Sequence, residues 1–385
     1  MKKIEEKYYK IWITLIKGIG IKRYINLIKK FKTIKNIFSA SGKDLENIQL
    51  IDEKLIQNIL NPQNKILAKK HLIYMEKNNI DIISIEDVEY PLKLVSIYNP
   101  PICLYIKGNK EIFKEKSIGI IGCRECTQYG KEIAQKFSYN LAKNKINIVS
   151  GLARGIDSEA HLGATYANGW TTAVLGNGLD TVYPKENYYL VDKILRNNGA
   201  IISEYPIGTK PEKMNFPARN RIISGISNGL LVVEAKKKSG TLITVDFALE
   251  QGRDVFLVPG NINSLNSEGT NDLIKQGGRL VTCYEDILEE MWFFSYWGRF
   301  FSRKEPSPIR NTKNYPSFSF KYLSLVAMPP LKCLSALFSS KISLTSLAKA
   351  GLILSNLSET SLWTVLLETP NFFAVLLTVS FVSII

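Results

Sequence analysis

The chain has 385 residues, with 50 Lys and Arg against 35 Asp and Glu and a formal net charge of +15 at pH 7; its sequence pI is near 9.4. That length suggests two or three domains. The basic excess points to an anionic partner, whether nucleic acid, a membrane surface or an acidic protein, although a lysine-rich composition without a role is the plain alternative. The five cysteines are sparse and oddly spaced, and the charged opening Met1–Tyr9 has no small-residue cleavage site after it. This argues against a secreted disulfide scaffold and leads to the expectation of a reducing cytosol. Cys123 and Cys126 form a lone CxxC without the second pair that a zinc site needs, so neither a metal nor a redox role is expected.

Residues 1–75 read as a small helical domain. Ile11, Leu15 and Ile16 fall at helical spacing, Lys17-Gly18-Ile19-Gly20 makes a turn, and Ile25, Leu27, Ile28 and Phe31 continue on a second helix. A Gly-Ile-Gly turn between short helices is the pattern of a helix-hairpin-helix, which can present backbone N–H groups to a DNA phosphate. A small bundle that uses its glycines only to turn gives the same pattern. Residues 76–104 read as a linker and lead-in, broken at Tyr90-Pro91 and Asn99-Pro100-Pro101.

Residues 105–290 alternate short apolar runs with amphipathic segments. Strands are expected at Leu104–Gly108, Ile118–Gly122, Ile146–Val149, Thr172–Leu175, Ala200–Ile202, Leu230–Val233 and Val255–Val258. Fully apolar strands separated by helices imply an α/β fold, a parallel sheet covered on both faces. Ligands in such sheets lie beyond the carboxyl ends of the strands, where the polar turns collect.

The turn Ser150-Gly151-Leu152-Ala153-Arg154-Gly155-Ile156-Asp157 is central to this reading. A strand that stops at Ser150-Gly151, turns through Gly155 and starts a helix near Asp157 is expected to leave backbone N–H groups open to a phosphate. Arg154 adds a planar cationic fork. Other turns bring Gly122-Cys123-Arg124, Lys185, and Arg219 with Arg221 to the same rim. Tyr129, Tyr183, Tyr205 and Phe216 are interleaved with them. Charges for phosphates beside rings for bases suit a single strand of nucleic acid; core packing is the alternative for each ring. Arg219 and Arg221 have a second reading, as braces of the fold with Glu204 or Glu234 as partners.

At these residues the sequence resembles the DNA-processing protein A family (DprA, also called Smf). Seven motifs occur in order: Ser-Gly-Leu-Ala-Arg-Gly-Ile-Asp at 150–157, Gly-x-Gly-x-Asp-x-x-Tyr-Pro at 176–184, Ser-Glu-Tyr-Pro at 203–206, Phe-Pro-x-Arg-Asn-Arg-Ile-Ile-x-Gly-Ile-Ser at 216–227, Ser-Gly-Thr-Leu-Ile-Thr at 239–244, Val-Pro-Gly at 258–260 and Glu-Gly-Thr-Asn-x-Leu-Ile at 268–274. The resemblance implies an extended Rossmann-like domain that binds single-stranded DNA, protects incoming strands in natural transformation, helps load the RecA recombinase and works as a homodimer without a nucleotide cofactor. It maps the family's Gly-Ser/Thr-Arg signature onto Gly122-Cys123-Arg124, with a thiol in place of the hydroxyl. The implied DNA-binding set is Gly122, Cys123, Arg124, Ser150, Gly151, Arg154, Gly155, Lys185, Arg219 and Arg221.

An enzymatic alternative is a phosphoribohydrolase of the lysine-decarboxylase-like Rossmann group, with Asp157, Glu159, His161, Glu204 or Glu250 as acid–base groups. No catalytic triad, metal cluster or Walker motif supports it, and His161 reads better as a packed or capping residue. A nicotinamide-dependent oxidoreductase lacks its three-glycine fingerprint. Beyond residue 290 Asp disappears, Ser and Leu become frequent, and the apolar run Phe372–Ile385 is too short for a confident membrane span. No pattern of the winged helix that many family members carry is seen there. A frameshifted reading, a disordered extension and a weak membrane anchor are the three readings of that tail.

Overall fold

In the computed structural model, residues 2–291 are described. The chain opens with helices at Lys2–Leu15, Ile21–Phe31, Ile34–Phe38, Gly42–Leu45, Glu53–Leu60 and Pro62–Lys77. Their starts follow from local chemistry. Thr33, Asp52 and Asn61 each accept a hydrogen bond from a backbone N–H of the first turn, and Ser41 and Asp44 form a reciprocal capping box. Gly18, at φ +96°, makes the turn between the first two helices. The second helix buries Ile21, Tyr24 and Leu27 at helical spacing.

Nine strands form one sheet: β1 (Ile80–Ser84), β2 (Cys103–Gly108), β3 (Ser117–Ile121), β4 (Asn147–Ser150), β5 (Thr171–Leu175), β6 (Ala200–Ser203), β7 (Gly229–Val232), β8 (Asp254–Leu257) and β9 (Arg279–Leu280). Their order is β1-β2-β6-β5-β4-β3-β7-β8-β9. From β3 onward all pairs are parallel, as the buried apolar runs require. The sheet as a whole is mixed, because β2 runs antiparallel to both β1 and β6.

The segment expected as a linker, 76–104, contains β1 and a short helix at Leu92–Val95. β1 is inconspicuous because Asp81 interrupts its apolar run and Asn78-Asn79 precede it. Ile80 and Ile82 of β1, with Cys103 and Tyr105 of β2, share a core with Trp12, Tyr24, Leu27 and Ile37 of the helices. The Tyr105 hydroxyl meets Thr14 Oγ1 at 2.6 Å. The first helices therefore close one end of the sheet.

Each face of the parallel region carries its own core. Ile118 and Ile120 of β3 pack with Phe137, Leu141 and Ala160 on one face. Ile121 packs on the other with Ile222, Ile223 and Val245. Burying each such side chain stabilises the fold by about 1.5–3 kcal/mol. The chain builds outward from β3 in both directions, to β4 on one side and β7 on the other. The carboxyl ends of β3, β4 and β7 thus mark the switch point where an open α/β sheet leaves a crevice. The tail after residue 291, with its frameshifted, disordered and membrane-anchor readings, lies outside the described residues.

Candidate nucleic-acid interface

The loop after β3 is fixed from four sides. The buried Glu234 carboxylate accepts the Thr127 N–H at 3.0 Å and its hydroxyl at 2.5 Å. The same hydroxyl accepts the Gly130 N–H, starting the helix Gln128–Lys143. Asn266 donates to the Glu125 carbonyl at 2.8 Å, Thr241 to the Gly122 carbonyl at 3.2 Å, and the Ile156 N–H to the Cys123 carbonyl at 3.2 Å. Within this frame Cys123 is buried, its thiol pushed up by desolvation. Arg124 is exposed, its guanidinium carbon 5.8 Å from the centre of the Phe216 ring.

The turn after β4 differs from the open phosphate cradle expected there. The Gly151 N–H donates to Asp157 Oδ2 at 3.1 Å, and the Ala153 N–H also faces that carboxylate. The protein's own anion thus lies where an external one was expected. Burial raises the Asp157 carboxyl above its ordinary value, against the pull of Arg219 and these two N–H groups. The Ser150 hydroxyl donates to the Ile120 carbonyl at 2.6 Å. Gly155, at φ +74°, is required by loop packing: a Cβ there would lie 2.3 Å from the Cys123 carbonyl oxygen. Asn187 secures the turn by donating to the Leu152 and Ala153 carbonyls at 2.9 and 3.2 Å.

The expected cations fall into two groups. Arg124, Arg154 and Lys185 are exposed, with Arg154 paired to the exposed Glu186. Arg219 is buried; its Nη1 donates to the Gly151 carbonyl at 2.8 Å and to the Val174 carbonyl, and its Nε to Asn220. Burial lowers its pKa to about 10 despite Asp157. Arg221 holds Glu204 with two bonds of 2.6 Å, and also donates to the Asn99 and Ala218 carbonyls. Both side chains brace the frame, and of the two partners considered for them Glu204 holds Arg221, while Glu234 serves Thr127.

Phe216, near the start of the helix Asn215–Ile226, is where the rim converges. Its ring centre is 5.4 Å from that of the exposed Tyr183 and 5.9 Å from the Arg219 guanidinium carbon, with Arg124 also within reach. Cation–π contacts of this kind fix the guanidinium planes beside an aromatic surface. Sequence reasoning left Phe216 open between core and rim, and it did not find the Glu234–Thr127 lock. A carboxylate ending an apolar strand was the available signal.

The acid–base candidates have other partners. Glu204 holds Arg221, Glu159 accepts from Gln135, and Asp157 closes its own turn. His161 is fully buried, with Nδ1 2.6 Å from Thr171 Oγ1, and desolvation pushes its pKa down to about 3. Glu250 is exposed on the helix Gly240–Glu250. Among the described residues no group of His, Cys, Asp and Glu could hold a metal ion, and no helix is long and apolar enough to cross a membrane.

A doubly wound sheet whose switch-point edge carries the exposed Arg124 and Tyr183 around a half-buried Phe216 defines a Rossmann-like protein suited to a polyanion. The sequence pattern of the DNA recombination-mediator protein A family matches residues 81–292, and the chain belongs to that family. It is 36% identical over 291 residues to the protein Smf of Synechocystis, covering 74% of this chain and 73% of that protein. Its fold is similar to the X-ray structure of DNA processing protein A (DprA) from Streptococcus pneumoniae, with a TM-score of 0.60, 36% identity, and 74% of this chain and 97% of that chain covered. DNA processing protein A from Helicobacter pylori, whose structure concerns its single-stranded DNA binding mode, matches with a TM-score of 0.50 at 29% identity, over 55% of this chain and 95% of that one. The sequence expectation of a DprA-type, Rossmann-like protein therefore holds, and the chain is a DNA-processing protein.

Proposed function

We propose that this chain binds single-stranded DNA along the rim formed by Arg124, Tyr183, Lys185 and Phe216, with Arg154 at its margin. The observation that carries the reading is Phe216, flanked by the Arg124 guanidinium and the Tyr183 ring at the carboxyl edge of the sheet. A ring offers a stacking face to any base, and the cations hold the adjacent phosphates. The binding mode described for the Helicobacter pylori relative supports the same substrate. In this reading Gly122, Cys123, Ser150, Gly151 and Gly155 shape the loops, and Arg219 and Arg221 position them. The protein acts as a non-enzymatic homodimer in the cytosol, without a cofactor, protecting single strands in transformation and recombination and handing them to RecA.

Fluorescence anisotropy of the full chain with a labelled oligothymidylate tests the binding. Tight, salt-sensitive binding that exceeds duplex binding and is weakened in Arg124→Ala is expected. Equal affinity for duplex, or an unchanged affinity in the variant, would remove this rim as the site.

A further inference from the structure

A second surface, separate from the Arg124–Phe216 cluster, lies between the helix Ile21–Phe31 and the segment 85–100. It is a groove of about 640 Å³, within the size range of specific ligand sites. Its walls are aliphatic: Ile21, Ile25 and Ile28 on the helix, Val95 and Ile97 opposite. Ile25 is 44% exposed and Tyr98, at one lip, 84% exposed. Val95 is exposed as well, while Ile21 and Ile97 are buried; apolar side chains exposed together in one concavity mark an interaction surface more than scattered ones do.

The rim is basic. Lys22, Lys29 and Lys32 line the groove on the helical side, at spacings that keep them and Ile25 on one exposed face. Lys22 also reaches Tyr98, with its Nζ 3.3 Å from the hydroxyl and 5.4 Å from the ring centre. Against these three lysines the lining has one carboxylate, Glu86, beside the buried Tyr24 hydroxyl. Isoleucine and valine walls give bases little π-surface to stack on, whereas they suit the aliphatic or aromatic anchors of a peptide.

We infer that this groove docks an acidic, amphipathic peptide segment of a partner protein, its apolar side chains between Ile25, Ile28, Val95 and Ile97 and its carboxylates on Lys22, Lys29 and Lys32. Arg221 ties the segment bearing the groove's far wall to the Glu204 loop through the Asn99 carbonyl, and no residue lining the groove belongs to the Arg124–Phe216 cluster.

The test uses the full chain and a fluorescein-labelled, acetylated probe peptide, Asp-Glu-Leu-Asp-Glu-Phe-Leu, with a control in which Lys replaces every acidic residue. The acidic probe is expected to bind and the basic one not. Lys29→Glu combined with Lys32→Glu should weaken the acidic probe about tenfold or more without changing the thermal unfolding midpoint. Ile25→Asp should weaken it similarly, and Arg124→Ala should leave it unchanged. No preference for the acidic probe, or equal affinity in the charge-reversed variant, would overturn the inference. So would loss of oligothymidylate binding in that variant with peptide affinity intact, which would make the groove a nucleic-acid surface.

Discussion

Arg219 and Asp157 grip one residue from opposite sides: Arg219 Nη1 donates to the Gly151 carbonyl at 2.8 Å while Asp157 Oδ2 accepts the Gly151 N–H at 3.1 Å. The pair is buried, and burial drives the pKa of each toward its uncharged form. Its worth lies in holding the turn. Removing one partner leaves an uncompensated buried charge, so Arg219→Met should destabilise the fold by about 3–5 kcal/mol. Lysine should not restore it fully: Nη1 alone serves the Gly151 and Val174 carbonyls, and an ammonium has no counterpart to the separate Nε that donates to Asn220. Urea unfolding of the three proteins checks this; a loss below about 1 kcal/mol would show that the turn holds without the pair.

Arg124 makes the opposite case. It is exposed and faces Phe216, so Arg124→Ala should leave stability nearly unchanged while weakening single-stranded DNA binding. One lost phosphate contact should lower the salt slope, log affinity against log salt, by about 0.7. Phe216→Leu should cost about 1–3 kcal/mol of binding with little change in that slope. Titrations at several salt concentrations separate the two effects.

The loop that carries Arg124 depends on Glu234. Glu234→Ala removes the acceptor of the Thr127 N–H and hydroxyl, and should destabilise the protein by about 1–3 kcal/mol while also weakening DNA binding. Gly130→Ala should act in the same direction, since its Cβ would lie 2.5 Å from the Glu234 carboxyl carbon. DNA affinity retained in both would show that the Arg124 loop is placed by other contacts.

His161 gives the fold a pH dependence. Its pKa is pushed down to about 3 by desolvation, with Arg219 adding to the effect. The native state therefore refuses a proton that the unfolded chain accepts below about pH 6.5. Its contribution is fully present above that pH and is lost as the pH falls toward 3, by about 2 kcal/mol at pH 5. Asp157, raised by burial, contributes with the opposite sign. Urea unfolding at pH 7 and pH 5 should show a smaller acid loss for His161→Gln than for the parent; equal losses would mean that His161 is protonated in the fold.

The sequence by itself determined the parallel core from β3 to β8, the positions of those strands to within a residue or two, and the set of turns at their carboxyl ends; the two-residue β9 was not among the expected strands. Strands such as β3 and β7 are buried along their whole length and so appear as nearly continuous apolar runs. It also placed Arg124, Lys185 and Phe216 among the candidates, because a turn after a buried strand reaches the sheet edge wherever the sheet is parallel. β1 escaped notice because a half-polar edge strand has no such signature, and with it went the shared core between the first helices and the sheet.

Which arginine faces solvent was decided only by tertiary structure. Arg124, Arg219 and Arg221 are alike in sequence, each a cation in a segment that follows a buried strand. Their roles separate when distant acceptors arrive: Gly151 and Val174 around Arg219, Glu204 and Asn99 around Arg221. The same holds for Asp157, which fills a cradle that the turn alone leaves open. Local pattern fixes where a chain turns, because backbone preferences and burial act over a few residues. Whether a charge at that turn is held inside or left free depends on carbonyls and carboxylates that only folding brings within hydrogen-bond distance.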